Sequence, residues 1–309
     1  MAVPGGSLTG TSAISNLVQT AYDQYVRMAL RSIPVMRALA DVKPVQQAMP
    51  GASVVFSIYS DLAQATSTLT ETSDVSSIAL GNPNQITVTL QEYGSAVTTT
   101  KKLNLTSFND VDAALADIIA YNAADSIDAV VASVLTAGSN VLYGGTATST
   151  NTVAAGDKMT VSKVRQAVTE LRTNKALPRI GELYAAYMHP RQTADLRAET
   201  GTGGFQELTK YVDRTPFVAG AVGVLEGAFI VETPRVPYAA NSSSVNVYKA
   251  VIAGREALAE AQAQDISTVI GPQIDALRRF HTIGWYYFGG WNILRQAALY
   301  RIETAATNG

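Results

Sequence analysis

A chain of 309 residues with 47% hydrophobic and 16% charged residues carries enough apolar surface to offset the entropy of ordering. That excludes a disordered chain and leaves room for one large domain or two lobes. Its 23 Lys and Arg against 25 Asp and Glu give a net charge of -2, without the cationic excess that phosphate-backbone binding demands, and the lack of Cys excludes disulfides and thiolate metal sites.

Met1 to Ser12 has no basic patch followed by an apolar run, so no export signal is expected. Ser, Thr, Asn and Gly interrupt every apolar run before it reaches roughly 20 residues, and a soluble chain with no membrane partner is expected.

Gly, Ser and Thr dominate Met1 to Ser12. Ile14 to Leu39 then carries apolar residues at Leu17, Tyr22, Tyr25, Val26, Met28 and Leu30, which predicts an extended arm running into a helix. Pro34 interrupts that helix, Pro44 and Pro50 bracket a turn, and Ser53 to Tyr59 reads as a strand. Asp61 to Asn84 is rich in Thr, Ser, Asp and Asn, the composition of an exposed loop tip. Ile86, Val88 and Leu90 alternate with Thr87, Thr89 and Gln91, the period of a half-buried strand, so two strands flank a polar tip. Gly94 predicts a bulge or a tight contact before Val97 to Lys102.

The strongest helical pattern places Val111, Leu115, Ile118, Ile119, Ile127, Val130, Val131, Val134 and Leu135 three and four residues apart. Ser107 or Asn109 would cap this helix, Asp110 and Asp112 suit its positive end, and Gly138 its stop. At ~1.5 Å per residue, Asp110 to Ala137 spans about 40 Å, a spine for a flat molecule.

Gly144 to Gly156 reads as a linker with a lobe boundary near 145, followed by a helix through Val161, Val164, Val168 and Leu171 capped by Thr160. Leu183 to Met188 reads as a strand, broken at His189-Pro190 before a short helix over Arg191 to Arg197. Ala228 to Glu232 and Val245 to Ala253 are further strands, separated by a turn-rich stretch with Pro234 and Pro237. This second lobe is therefore mixed α and β. Ile283 to Phe288 and Ala297 to Ile302 predict a hairpin across Gly289 and Gly290 that returns to the first lobe.

Chemistry is sparse. His189 and His281 are the only imidazoles, and neither has the spacing of a zinc site or a triad. Gly201 to Gly204 and Gly220 to Gly223 lack the spacing of a dinucleotide or P-loop motif and read as turns. Asp110, Asp112, Asp117, Asp125 and Asp128 are spread along the long helix as a solvated acidic face. Arg165, Arg172, Lys175 and Arg179 likewise read as a solvated face without the aromatic residues of a nucleic-acid platform. Trp285, Tyr286, Tyr287, Phe288 and Trp291 read as strand packing. No catalytic, cofactor-binding or metal-binding residue is assigned.

Several segments carry a family resemblance in their joint order. They are Glu92 to Ala96 leading into Leu103 to Thr106, Tyr187 to Pro190 with Asp195 to Arg197, Gly223 to Phe229 with Val231 to Pro234, and the closing Gly284-Trp285 through Arg301 to Thr304. From about Ser53 onward the chain resembles the major capsid protein of tailed bacteriophages, of the Hong Kong 97 type. The resemblance implies an α+β fold with an amino-terminal arm (1–50), an extended loop or E-loop (51–103), a peripheral domain with its spine helix (104–144), an axial domain (145–265) and a return to the peripheral domain (266–309). It further implies a non-enzymatic coat protein without cofactors that self-assembles, in hexameric and pentameric capsomers, into the icosahedral shell of the virion, in the host cytoplasm. The partners implied are a portal, a decoration protein and packaged double-stranded DNA held by non-specific proximity. The charged, helical scaffolding segment of some relatives is missing, so a separate scaffolding protein is expected. No Lys lies between Asp61 and Thr100, so no covalent cross-link through that loop is expected. An encapsulin-like nanocompartment shell shares the fold and stays open as the alternative; a hydrolase and a tail or baseplate protein are readings from other classes.

Overall fold

Residues 35–44, 53–59, 62–69, 71–72, 74–75, 77–106, 111–200, 205, 223–270, 277 and 279–307 are described by a computed structural model of the chain. The expected arm and helix up to residue 34, the caps Ser107 and Asn109, Asp110, and the loops 201–204 and 220–222 lie outside them.

The strands sort into three sheets. The first has four strands, β1 (Ala40–Pro44), β4 (Gln91–Thr100), β11 (Leu258–Ile270) and β12 (Phe280–Ile293), in the order β1-β11-β12-β4. The second has seven: β5 (Val141–Tyr143), β6 (Tyr184–Met188), β7 (Val224–Leu225), β8 (Ala228–Glu232), β9 (Tyr238–Ala240), β10 (Asn246–Ala253) and β13 (Leu299–Thr304). Its order is β5-β13-β10-β6-β8-β7, with β9 also paired to β10. The third is a ribbon of β2 (Ser53–Ile58) and β3 (Asn84–Thr89), antiparallel from Ser53 opposite Thr89 to Ile58 opposite Asn84, the expected pair of strands around the tip.

The long helix, α2 (Val111–Leu135), buries Ile119, Ala123, Ile127, Val131 and Leu135, a stripe at four-residue spacing. That stripe packs on Ile283, Trp285, Tyr287 and Ile293, which β12 presents by strand alternation on one face, and on Ala185, Tyr187, Val251 and Ala253 of the second sheet. Leu115–Leu135 is long and apolar enough to cross a membrane by length and mean composition, although Asp117, Asn122, Asp125 and Asp128 interrupt its apolar run. Here its apolar stripe is spent on the protein core.

The opposite face of the second sheet is covered by α3 (Val161–Thr173) and α4 (Pro190–Ala198), through Val164, Val168, Leu171 and Leu196. β6 is buried on both faces, which is why it reads Tyr-Ala-Ala-Tyr-Met without polar alternation. Thr160 caps α3, its hydroxyl accepting from Lys163 N at 3.4 Å.

The expected hairpin across Gly289 and Gly290 is corrected. β12 runs straight through both glycines to Ile293, and β13 pairs with β10 and β5 in the other sheet. These glycines serve close approach rather than a turn: a Cβ on Gly290 would lie 2.1 Å from Thr89 O of the ribbon crossing it. Gly94 makes the tight contact, its would-be Cβ lying 2.7 Å from Trp285 O, while the register shifts fall on β11.

Candidate assembly surfaces

Among the described residues, the β2/β3 ribbon meets the first sheet at its foot. Val88 is buried against Ala259 and Ala261, with Val54, Phe56, Leu90 and Leu294 around it. Asn292 Nδ2 donates to Thr87 O at 2.9 Å, and the Lys43 ammonium sits 5.0 Å from the centre of the Phe56 ring. Beyond this foot, the described residues between Leu62 and Gly81 form no strand or helix and are all exposed. Five of them are large and apolar: Leu62, Leu69, Val75, Ile78 and Leu80, at 57–76% exposure. The tip expected to be polar is therefore a polar chain studded with uncovered apolar side chains, a pattern that marks an interaction surface.

The first sheet projects in the same manner. β11 passes from fully buried Leu258–Ala261 to exposed Thr268, Val269 and Ile270, and Leu103 and Leu105 of the short helix α1 (Lys101–Thr106) are exposed beside β4. On its outer face Gly94, Ala96 and Gly284 floor an open depression of about 360 Å³, with Val269 and Tyr286 among its other lining residues.

Several of the residues considered for chemistry have partners within the chain. His189 Nδ1 accepts from Arg191 N at 3.2 Å, and its ring packs 4.6 Å from that of Tyr248. Burial, then the Arg191 charge, hold this imidazole below its usual pKa, so it stays neutral at pH 7. The side chain of His281 lies outside the described residues. Arg165, Arg172 and Lys175 are exposed, as expected of a solvated face, with Arg165 paired to Glu226 at 2.9 Å, while Arg179 is half-buried and pairs with Asp41 at 3.2 Å. Trp285, Tyr287 and Trp291 are buried, with Tyr287 stacked on Trp291 at 5.1 Å, which bears out strand packing for these three. Among the described residues, no group of three or more His, Asp or Glu is placed to hold a metal ion.

The acidic series needs a correction. Asp117 is exposed, but Asp128 is buried, and its Oδ1 accepts from Met36 N at 2.6 Å and Arg37 N at 3.2 Å. Asp125 is bound by Arg235, which also donates to the Tyr121 hydroxyl at 2.5 Å. Burial raises the Asp128 pKa, and the backbone donors oppose that rise. Glu260, which the sequence did not single out, is fully buried and accepts from Arg37 Nη2 at 2.7 Å and from the Tyr287 hydroxyl at 2.8 Å. The same burial and the Glu260 charge push the Tyr287 hydroxyl well above its ordinary pKa.

The described chain is an α+β subunit with no metal cluster among its described residues and with uncovered apolar side chains on its extended loop, on the end of its first sheet and on the second lobe, as at Leu177, Val224 and Tyr238. The model of the phage capsid protein family matches residues 12–298, and the chain belongs to that family. Among solved structures it is similar to the cyanophage Pam1 capsid, at 15% identity and a TM-score of 0.73 over 99% of this chain and 100% of that one. The capsid of Ralstonia phage GP4 matches at 16% identity and a TM-score of 0.72 over 98% of each chain. That of cyanophage P-SCSP1u matches at 16% and 0.72 over 94% of each. No curated protein matches the sequence. The fold is thus that of the tailed-phage major capsid proteins, as the sequence resemblance implied.

Proposed function

We propose that this major capsid protein builds the phage head by laying its extended loop on a neighbouring copy, in hexameric and pentameric capsomers, and that it does so without catalysis. Family membership supports the shell, and the observation that carries the loop's role is the row of uncovered apolar side chains from Leu62 to Leu80. Each such contact is weak, but a closed shell repeats it over many copies, and the effective concentration inside the assembly makes the sum strong. The divisions proposed are an arm (1–50), an extended loop (51–103), a spine-helix segment (104–144), an axial region (145–265) and a closing segment (266–309). A separate scaffolding protein, a portal and a decoration protein are the proposed partners, assembly takes place in the host cytoplasm, and the packaged DNA is held by proximity.

Deletion of Asp61 to Asn84 tests the reading. A folded, soluble subunit that closes no shells is expected, because the ribbon's foot lies outside most of the deletion while its apolar studs are gone. Intact particles by electron microscopy refute the role of the loop. With no Lys between Asp61 and Thr100, denaturing gels should show a monomer band. A ladder of covalent multimers contradicts this.

A further inference from the structure

Polar contacts tie the long helix α2 to the second sheet at two places. At its carboxyl end, Arg301 of β13 donates to Thr136 O, and to Gly138 O at 3.3 Å, and Asn140 Nδ2 donates to Gln296 O at 2.6 Å just before the chain enters β5. Further up the helix, Arg235 meets Tyr121, Asp125 and Asp128. Its guanidinium donates to Asp125 and to the Tyr121 hydroxyl at 2.5 Å, lies 5.6 Å from the centre of the Tyr121 ring, and brings Nε to 4.0 Å from Asp128 Oδ2. Arg235 belongs to the turn between β8 and β9, and that turn is fixed to the second sheet. Thr233 N donates to Met188 O at 3.0 Å, the Thr233 hydroxyl accepts from Arg235 N at 3.3 Å, Val236 is buried, and Pro237 O accepts from Lys249 N at 3.0 Å.

Elsewhere α2 meets the second sheet through apolar side chains, many of them small, with Val131 and Ala132 in one core with Ala185, Val251 and Ala253. Apolar burial is non-directional, so it holds the helix on the sheet without fixing its angle. The Arg235 side chain is only 11% exposed, and burying a guanidinium carries a desolvation penalty that an apolar residue avoids. What its planar fork supplies is geometry. A rod held at one point pivots, and a rod held at two has a direction. At ~1.5 Å per residue, Asp125 lies about 17 Å along the helix from Thr136, far enough apart for the two ties to act as such a pair.

We infer that Arg235 is a strut that sets the angle between the second sheet and α2, together with the first sheet that packs on α2. The hydrogen bonds of the guanidinium span about 3 Å between turn and helix. Released there, the helix swings about its carboxyl end by up to about 10°, carrying Ala120 by about 4 Å. Ile283, Trp285 and Tyr287 of β12 pack on α2, so the first sheet moves with it. The consequence for assembly rests on the proposed function: the angle between the two sheets sets the curvature at which copies join, and a fixed angle narrows the range of particle sizes.

The chain has no Cys, so spin labels enter cleanly at Ala120→Cys on α2 and Ser162→Cys on α3, both exposed. Double electron–electron resonance on the full-length labelled chain, diluted with unlabelled chain, should give one narrow distance distribution. In Arg235→Met the distribution should broaden or shift by about 4 Å, and Arg235→Lys, which keeps the charge but not the fork, should not restore it. If Arg235→Met fails to fold, the pair Asp125→Ala and Tyr121→Phe removes the same contacts from the helix side and carries the test. A broad distribution in the parent, or coincident distributions in parent and variant, overturns the strut, and full restoration by Arg235→Lys overturns its geometric role. Electron microscopy then reads particle diameters: a wider spread is expected in Arg235→Met, and equal spreads overturn the link to curvature. A parent chain that forms no shells sinks the proposed function instead, because the distances are read on the free subunit.

Discussion

Replacing Gly290 by Ala drives a methyl group into the foot of the extended ribbon. The new Cβ would stand 2.1 Å from Thr89 O and 3.1 Å from Val88 Cγ1. Ordinary carbon contacts lie near 3.5 Å, so the ribbon must retreat by roughly 1 Å or β12 must bow. Gly290 does not lie at positive φ, so the penalty is steric alone, and overpacking of this kind costs about 1–3 kcal/mol. The retreat also pulls Val88 out of its pocket against Ala259 and Ala261, a side chain whose full burial is worth about 1.5–3 kcal/mol. Because the ribbon's described ties to the sheet lie here, the loss should fall on it locally rather than on the whole subunit. Hydrogen exchange reads this directly: amides of Val54–Ile58 and Gln85–Val88 should exchange about 10- to 100-fold faster, at about 1.4 kcal/mol per tenfold, while those of α3 stay unchanged. Unaltered protection of the ribbon, or an equal loss in α3, refutes the idea that Gly290 exists to let the ribbon cross.

Three further outcomes follow from the buried polar groups and the caps. Tyr287→Phe removes a hydroxyl donor from buried Glu260 while keeping the stack on Trp291, and should lower unfolding stability by about 1–3 kcal/mol in urea titration; no change means that Glu260 is satisfied by Arg37 alone. Asp128 has a folded pKa raised above its unfolded value, so folding takes up a proton and this group favours the folded state more as pH falls through the raised pKa toward the ordinary carboxylate range. The difference in thermal midpoint between the parent and Asp128→Asn should therefore shift in the parent's favour on acidification, and a shift the other way contradicts the burial argument. Thr160→Ala should cost about 1 kcal/mol by loss of the α3 cap, measured by thermal or urea unfolding.

Elements whose pattern is local were readable from the residues. Thr160 and the Val161–Leu171 stripe mark α3, and Pro190 at the first turn marks α4. What escaped is non-local. Gly289-Gly290 has the look of a turn, and nothing in the neighbouring residues reveals that another ribbon crosses there. β11 was missed because its Ala-Glu-Ala-Gln-Ala stretch has little β propensity and its register slips at Gln264. Asp128 looked like part of a solvated series because its partners lie 91 and 92 residues away, and Arg37 lies 223 residues from Glu260. A carboxylate's burial is set by what arrives from elsewhere in the chain. The exposed studs of the loop were visible as letters, but only the fold shows that nothing in the described chain covers them.

In the second sheet, β13 lies between β5 and β10, so Arg301 stands beside both Val141 and Val251. Until residues near 300 leave the ribosome, β5 and β10 have no common neighbour and the sheet is split in two. The subunit must therefore finish this lobe after most of the chain has been made, through contacts that close long loops and form slowly. A half-synthesised coat protein is in this way a poor building block, and crowded nascent chains are less apt to nucleate a shell before each has a whole molecule to contribute.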